Sequence, residues 1–246
     1  MFKLENLSTL LSFAATILIL FVVAYVLEKL AAGKNEKKEK VFTVRKIAGI
    51  GIISAMAAVL MLLEVPLFFA PADIYKLDFS EIPILIGSFA YGPAAGVMME
   101  FIKVALKCLF KPSSTAFVGE LANFAVGCSL VLPASTIYCF KKTKKNAIFG
   151  TIVGILCMTV FGSAFNAVYL IPTFAKMFHM DLEAIIGMGA GSNKLVSGNS
   201  LTEFILFITA PFNLVKGLIV GVITVLLYKY ISSILKGNES KEIAKP

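Results

Sequence analysis

Lys216 and Asn213 share one face of an otherwise apolar run. In the stretch PFNLVKGLIVG, Pro211 to Gly221, they stand three residues apart, so a helix points both to the same side. The run extends from about Leu201 to Leu235. An ammonium inside such a span costs roughly 3 kcal/mol on insertion scales. It needs a carboxylate, a water-filled cavity or a ligand. Pro211 withholds a backbone donor and loosens the helix just before Asn213. Asn166, in the preceding apolar span, adds a second carboxamide. Carboxamides both donate and accept, so this set suits a flat heteroaromatic ring with alternating carbonyls and ring nitrogens. A second reading uses the same residues: Asn166 and Asn213 bond helices together, and Lys216 pairs with Glu120 or Glu100. Residue type and spacing leave both readings open.

Other polar groups have local explanations. In EFIKVALK, Glu100, Lys103 and Lys107 stand at helical spacings of three and four, which favours ion pairing along one face. In GELANF, Glu120 and Asn123 lie on neighbouring turns, as helix bonding or as part of a pocket. In ADIYKLDFSEIP, Ser80 or Asp78 is placed to cap a helix with Glu81 in its first turn; a lid over an outward-facing cavity is the alternative. Cys108, Cys128, Cys139 and Cys157 form no C-x-x-C pair and His179 is the single histidine, so no metal site is expected. GMGAGSNK, Gly187 to Lys194, lacks the spacing of a phosphate loop and reads as a flexible loop. No nucleophile–base arrangement stands out. The chain reads as a non-enzyme without a cofactor, and any ATP hydrolysis falls to other chains.

The elements that position these residues are membrane helices. Of 246 residues, 58% are hydrophobic and 15% charged, against about 25% charged in soluble domains; mean hydropathy is +0.88. Several apolar runs reach the roughly 18 residues that a bilayer crossing needs. The net charge of +8 lies mostly in short loops beside these runs, which fits the positive-inside rule and not nucleic-acid binding. The spans expected are Leu7 to Leu30, Ile47 to Phe69, Phe79 to Tyr91, Pro93 to Phe110, Ala116 to Phe140, Ala147 to Tyr169 and Leu201 to Leu235. The first is an uncleaved extra helix, since its apolar stretch exceeds a signal-peptide core. The breaker pair Gly92-Pro93 divides what could be one long helix. That division also places KKTKK, Lys141 to Lys145, on the same side as the lysine-dense Lys34 to Lys46. Both are then cytoplasmic, with the N-terminus outside and the C-terminus inside. Ile171 to Ser200 is expected as an outer loop with a short helix near Asp181 to Met188. Residues 1–43 form an extra helix and basic linker, 44–235 a six-helix membrane domain, and 236–246 a cytoplasmic tail.

Small-residue spacings mark close helix contacts. Gly150 with Gly154, and Gly217 with Gly221, are expected to pack the bundle against itself. The overlapping pairs Gly51 with Ala55 and Ser54 with Ala58 make the second span the better surface for a partner protein. No internal repeat is evident, which speaks against the repeat-built carriers.

The stretches YKLDFSEIPILIGSFAYGPAAGVMMEFIK (Tyr75 to Lys103), VGELANF (Val118 to Phe124) and APFNLVKG (Ala210 to Gly217), in this order, resemble the riboflavin-binding S component of energy-coupling factor (ECF) transporters. The resemblance covers about Val44 to Leu235. It implies a six-helix, all-α membrane subunit that captures riboflavin in an outward-facing pocket. Such a subunit docks on a transmembrane coupling protein and two cytosolic ATPases. Carried over by matching residues, Asn166, Asn213 and Lys216 look like ligand contacts, and Leu77 and Asp78 fall in a gating loop. Gly51, Ser54, Ala55 and Ala58 resemble the surface that meets the coupling protein. Alternatives are an S component for another vitamin, a stand-alone carrier or an intramembrane enzyme. The helix Leu7 to Leu30 lies outside the pattern.

Overall fold

A computed structural model describes residues 4–32, 44–71 and 74–237. Its helices are α1 (Leu4–Ala32), α2 (Val44–Leu62), α3 (Glu81–Tyr91), α4 (Pro93–Phe110), α5 (Val118–Phe140), α6 (Lys144–Phe165), α7 (Ile171–Met177), α8 (Leu182–Ser192), α9 (Leu201–Phe204) and α10 (Ala210–Gly237). Two short strands, β1 (Val65–Pro66) and β2 (Lys76–Leu77), pair antiparallel between α2 and α3. The architecture is the expected all-α bundle with an extra N-terminal helix. Most of the basic linker, and the tail beyond Gly237, lie outside the described residues.

α3 sits at the centre. Every residue from Glu81 to Phe89 is buried, because α2, α4, α5 and α10 surround it. A helix buried all round can be apolar all round, as EIPILIGSFAY nearly is. Its 11 residues reach only about 16 Å, well short of a bilayer core. The polar ends of α3 are therefore carried inside the protein and not at a membrane surface. α3 and α4 meet at Gly92, whose φ of 99° is open to glycine and costly for other residues. Pro93 then starts α4, where a missing N–H does no harm.

α5 and α6 approach closely. A Cβ at Gly150 would lie 2.6 Å from Ala134 O, and one at Gly154 2.5 Å from Leu130 O. Cβ atoms at Gly217 and Gly221 would press on Ile155 and Thr151 of α6. These glycine pairs pack the bundle against itself, as their spacing implied.

Three boundaries differ from expectation. The second span ends at Leu62, because the chain turns into the β1–β2 hairpin instead of continuing to Phe69. The fifth core span continues through a π-helical turn, Asn166–Leu170, into α7. The outer loop is accordingly shorter and more helical than Ile171 to Ser200. GMGAGSNK is mostly helix, since α8 runs to Ser192: its glycines let the helix pack, with a Cβ at Gly189 pressing on Phe204 and Ile208.

α1 is docked along α4 and α5. Phe13 meets Phe124 with ring centroids 5.8 Å apart. Ala24 and Ala31 are covered, while Leu18, Ile19, Val22 and Leu30 face outward as a lipid-exposed face would. At the far end, Glu28 Oε2 accepts a hydrogen bond from Ala94 N at 3.0 Å. The carboxylate thus caps the first free amide of α4 from another helix and meets its positive end. Glu28→Ala should destabilise the chain by about 1 kcal/mol, the usual worth of a cap. The check is thermal unfolding in detergent, with Glu28→Gln intermediate.

Candidate ligand-binding site

The charge that Lys216 needs comes from the chain segment leading into α3. Lys216 Nζ lies 2.9 Å from Asp78 Oδ2 and 3.0 Å from Glu81 Oε1. The same Glu81 oxygen is 3.4 Å from Lys103 Nζ, which is 2.6 Å from Glu100 Oε2. Asp78, Lys216, Glu81, Lys103 and Glu100 form one chain of charges, and all five are buried. Glu120 and Glu100 are therefore not the partners of Lys216. Glu120 instead accepts from Lys107 Nζ and Ser113 Oγ, each at 2.7 Å, and from Thr115 Oγ1 at 3.1 Å. It stands in the first turn of α5 and closes the α4–α5 connection. The internal pair expected on EFIKVALK forms between Glu100 and Lys103, while Lys107 leaves that face for Glu120.

Ser80 makes no capping bond to α3. Its N and Oγ both donate to Asp78 Oδ1, the N at 3.0 Å, and its Oγ also reaches Glu81 Oε2 at 3.3 Å. The acidic loop is thus bound into the charge chain as well as opening a helix. Leu77 is buried beside it.

The hairpin is fastened at the surface too. Glu64 Oε2 accepts from Lys76 at 3.3 Å and from Lys111 at 3.1 Å. Burial pushes the Glu64 carboxyl up, but hydrogen bonds and charge from Lys111 and Lys76 outweigh that and hold its pKa below the ordinary value.

A second polar set lies where α6 runs into the π-helical turn Asn166–Leu170 and where the turn Ile205–Thr209 runs into α10. Tyr75 donates to Asn166 Oδ1 at 2.8 Å and bonds Thr209 Oγ1 at 2.8 Å. Its ring packs against Phe204 and Phe212, at 6.2 and 5.0 Å between centroids. Asn166 Nδ2 donates to Gly162 O at 2.7 Å. Asn213 lies against Gly162, where a Cβ would sit 2.8 Å from its Nδ2. That buried Nδ2 has no hydrogen-bond partner. The two asparagines therefore differ: Asn166 is bonded within the bundle, while Asn213 holds a donor in reserve. Asn213 and Lys216 are buried on one face of α10, and Thr209, the last residue of the π-helical turn Ile205–Thr209 that leads into it, is buried four residues before Asn213. Tyr75 and Thr209 were not singled out from the sequence; the spacing of Thr209 four residues before Asn213 was the available signal.

The coupling-surface residues divide. Gly51 and Ala55 are exposed on α2, and a Cβ at Gly51 would meet nothing within 4 Å. Ser54 and Ala58 are buried inside the bundle, Ser54 bonding Ile50 O at 2.7 Å. They pack the chain against itself and offer nothing to a partner.

The family described as "ECF transporter, substrate-specific component" matches residues 45–228. The chain belongs to that family. This substrate-specific component is therefore part of a transporter and not an enzyme. It is 32% identical over 192 residues to a riboflavin transporter RibU of Staphylococcus aureus, covering 78% of this chain and 93% of that one. It is 31% identical over 188 residues to a riboflavin transporter FmnP of Bacillus subtilis, covering 75% and 90%. A solved S component of a bacterial ECF transporter superposes with a TM-score of 0.59 at 30% identity, covering 78% of this chain and 98% of that one. The family segment begins after α1, which marks α1 as an addition to the substrate-specific core. Among the described residues, four helical spans, Leu11–Ala31, Val118–Phe140, Lys144–Met177 and Leu201–Tyr228, are long and apolar enough to cross a membrane.

Removing one member of the charge chain should leave an uncompensated buried charge. Lys103→Met is expected to cost about 3–5 kcal/mol or to prevent folding. Glu64→Gln, at the partly exposed clasp, should cost under about 1 kcal/mol. Unfolding temperatures of the two variants in detergent make the comparison.

Proposed function

We propose that this chain captures riboflavin at the outer side of the cell membrane for an ATP-driven ECF importer. The observation that carries this is the placement of Asn166, in the turn that follows α6, and Asn213 of α10 about Gly162, with the buried Lys216 one turn beyond Asn213, in a chain related to transporters named for riboflavin. Riboflavin is neutral, with ring carbonyls and ring nitrogens that accept hydrogen bonds. The Asn213 amide donates to such an acceptor. The Lys216 ammonium has three N–H groups and two carboxylate neighbours, so it keeps one for the ligand. Leu77 and Asp78 enter the site from the hairpin, and Asp78 ties that hairpin to Lys216. Riboflavin is cargo here, and no resident cofactor is part of the reading.

The topology supports an outside N-terminus and a cytoplasmic C-terminus, with Lys141 to Lys145 on the inner side. The ligand set then faces outward. The exposed Gly51–Ala55 face of α2 is the proposed contact with the coupling protein, and two ATPase chains supply the energy. The same fold with another vitamin is the competing reading.

A purified sample should quench flavin fluorescence with submicromolar affinity, and thiamine, biotin or folate should not compete. Binding at micromolar strength or weaker by folded protein would reject riboflavin. Asn213→Ala should weaken binding roughly tenfold, the worth of one good hydrogen bond, with little change in unfolding temperature. Lys216→Ala should weaken it at least as much. It also strips Asp78 and Glu81 of their counter-charge, so Asn213→Ala is the cleaner probe of the site.

A further inference from the structure

Asn123 is a third carboxamide at the depth of Asn213, and the bundle gives it nothing to bond. Its Oδ1 is buried without a hydrogen-bond partner. The neighbouring positions on α5 fix where it stands. Ala122 packs in the cluster of Tyr75, Phe204 and Phe212. Val126, like Phe79, packs against the cluster that holds Leu85 and Val220. One turn further, a Cβ at Gly127 would lie 2.7 Å from the Glu100 carboxylate. Asn123 therefore sits on the interior face of α5, between the Tyr75 aromatic cluster and the buried charge chain.

The register of α5 against α6 gives its level. Gly150 faces Ala134 and Gly154 faces Leu130 in an antiparallel pair. Carrying that register outward sets position 123 beside 161 and 162, and Gly162 is the residue that Asn213 lies against. Asn123, Val126 and Phe79 are each only partly covered.

These two atoms are complementary: Asn213 offers an unused donor and Asn123 an unused acceptor. Thr136, Ser163 and Thr224 also hold buried hydroxyls without a partner, but a hydroxyl can both donate and accept, whereas the Asn213 Nδ2 only donates and the Asn123 Oδ1 only accepts, and native bundles rarely leave such atoms unpaired. We propose that Asn123 is a further ligand-contacting residue, whose Oδ1 accepts a hydrogen bond from an N–H or O–H of the bound molecule. This rests on the riboflavin reading above. Riboflavin carries such donors at ring N3–H and on its ribityl hydroxyls. A ligand that presents only acceptors would leave Asn123 unsatisfied, so Asn123 selects for a donor.

The experiment uses the full chain with Asn123→Ala and the similar-sized Asn123→Leu. Riboflavin and lumiflavin, which has the ring but no ribityl chain, are titrated by fluorescence quenching. Thermal unfolding is recorded without ligand. Both variants should bind riboflavin about tenfold more weakly, the loss expected for one hydrogen bond. Their ligand-free unfolding temperatures should not fall, because no bond inside the protein is lost. A loss confined to riboflavin assigns the contact to a ribityl hydroxyl, and an equal loss with lumiflavin assigns it to N3–H. Unchanged affinity for both ligands overturns the proposal, as does a lowered ligand-free stability with unchanged affinity. If the unmodified chain fails to bind riboflavin, the substrate reading falls and this contact falls with it. If that chain binds and the variants match it, only the Asn123 assignment falls.

Discussion

A lysine in the middle of a membrane-spanning helix can stay charged only where acidic side chains reach it, and much of the bundle answers that demand on Lys216. Asp78 and Glu81 come from the segment entering α3, and Glu81 passes the demand on to Lys103 and Glu100 of α4. The result joins the hairpin, α3, α4 and α10 through one line of ion pairs. It also accounts for the shortness of α3. That helix begins at the depth of the charges, and Glu81 in its first turn has to be inside the protein. Three carboxylates share two ammoniums, so each ammonium lies between two acids. In a low dielectric each such contact is strong, and the loss of either lysine is correspondingly severe.

Two prolines shape the wall opposite. Pro172 and Pro211 each follow a π-helical turn, Asn166–Leu170 and Ile205–Thr209, by one intervening residue. Proline withholds its N–H and crowds the carbonyl four residues back. The helix widens to i→i+5 bonding just ahead of it: Ile171 N donates to Asn166 O, and Ala210 N to Ile205 O. Phe207 O, four residues before Pro211, receives Asn193 Nδ2 at 3.0 Å in place of the missing amide. Such wide turns shift the faces of the flanking residues. Here Asn166 opens one turn and Thr209 closes the other, and both meet the hydroxyl of Tyr75.

What the sequence disclosed follows the range of the interaction. Membrane class, the break at Gly92-Pro93, the small-residue spacing of Gly150 and Gly154 and the shared face of Asn213 and Lys216 all depend on neighbours within a turn or two. Hydropathy and periodicity report these directly. The partner of Lys216 does not lie within that range: Asp78 is 138 residues away, and nothing local distinguishes it from Glu100 or Glu120. Tyr75 escaped for the same reason, since a tyrosine in a loop shows its role only once α6 and α10 are brought to it. The error over Ile171 to Ser200 has another cause. Pro172 stands just past the expected end of that span near Tyr169, yet a π-helical turn lets the helix absorb the proline and continue. Ser54 and Ala58 show the limit of small-residue spacing. The pattern marks close packing, yet whether the neighbour is another chain or another helix of this one depends on the tertiary fold.

α1 illustrates how a core can take on a helix without losing its other surfaces. It covers α4 and α5 and brings Glu28 to the first amide of α4. The opening of α4 is thereby bonded by a side chain instead of by water, which a buried helix end requires. Because α1 occupies the side formed by α4 and α5, it leaves the outer face of α2 open, where Gly51 and Ala55 have no side chain over them. α4 is thus held from two directions: at its start by the Glu28 carboxylate, and further along by the ion pairs of Glu100 and Lys103. The added helix and the charge chain act on the same element, so the brace on α4 reaches Lys216 through Lys103 and Glu81.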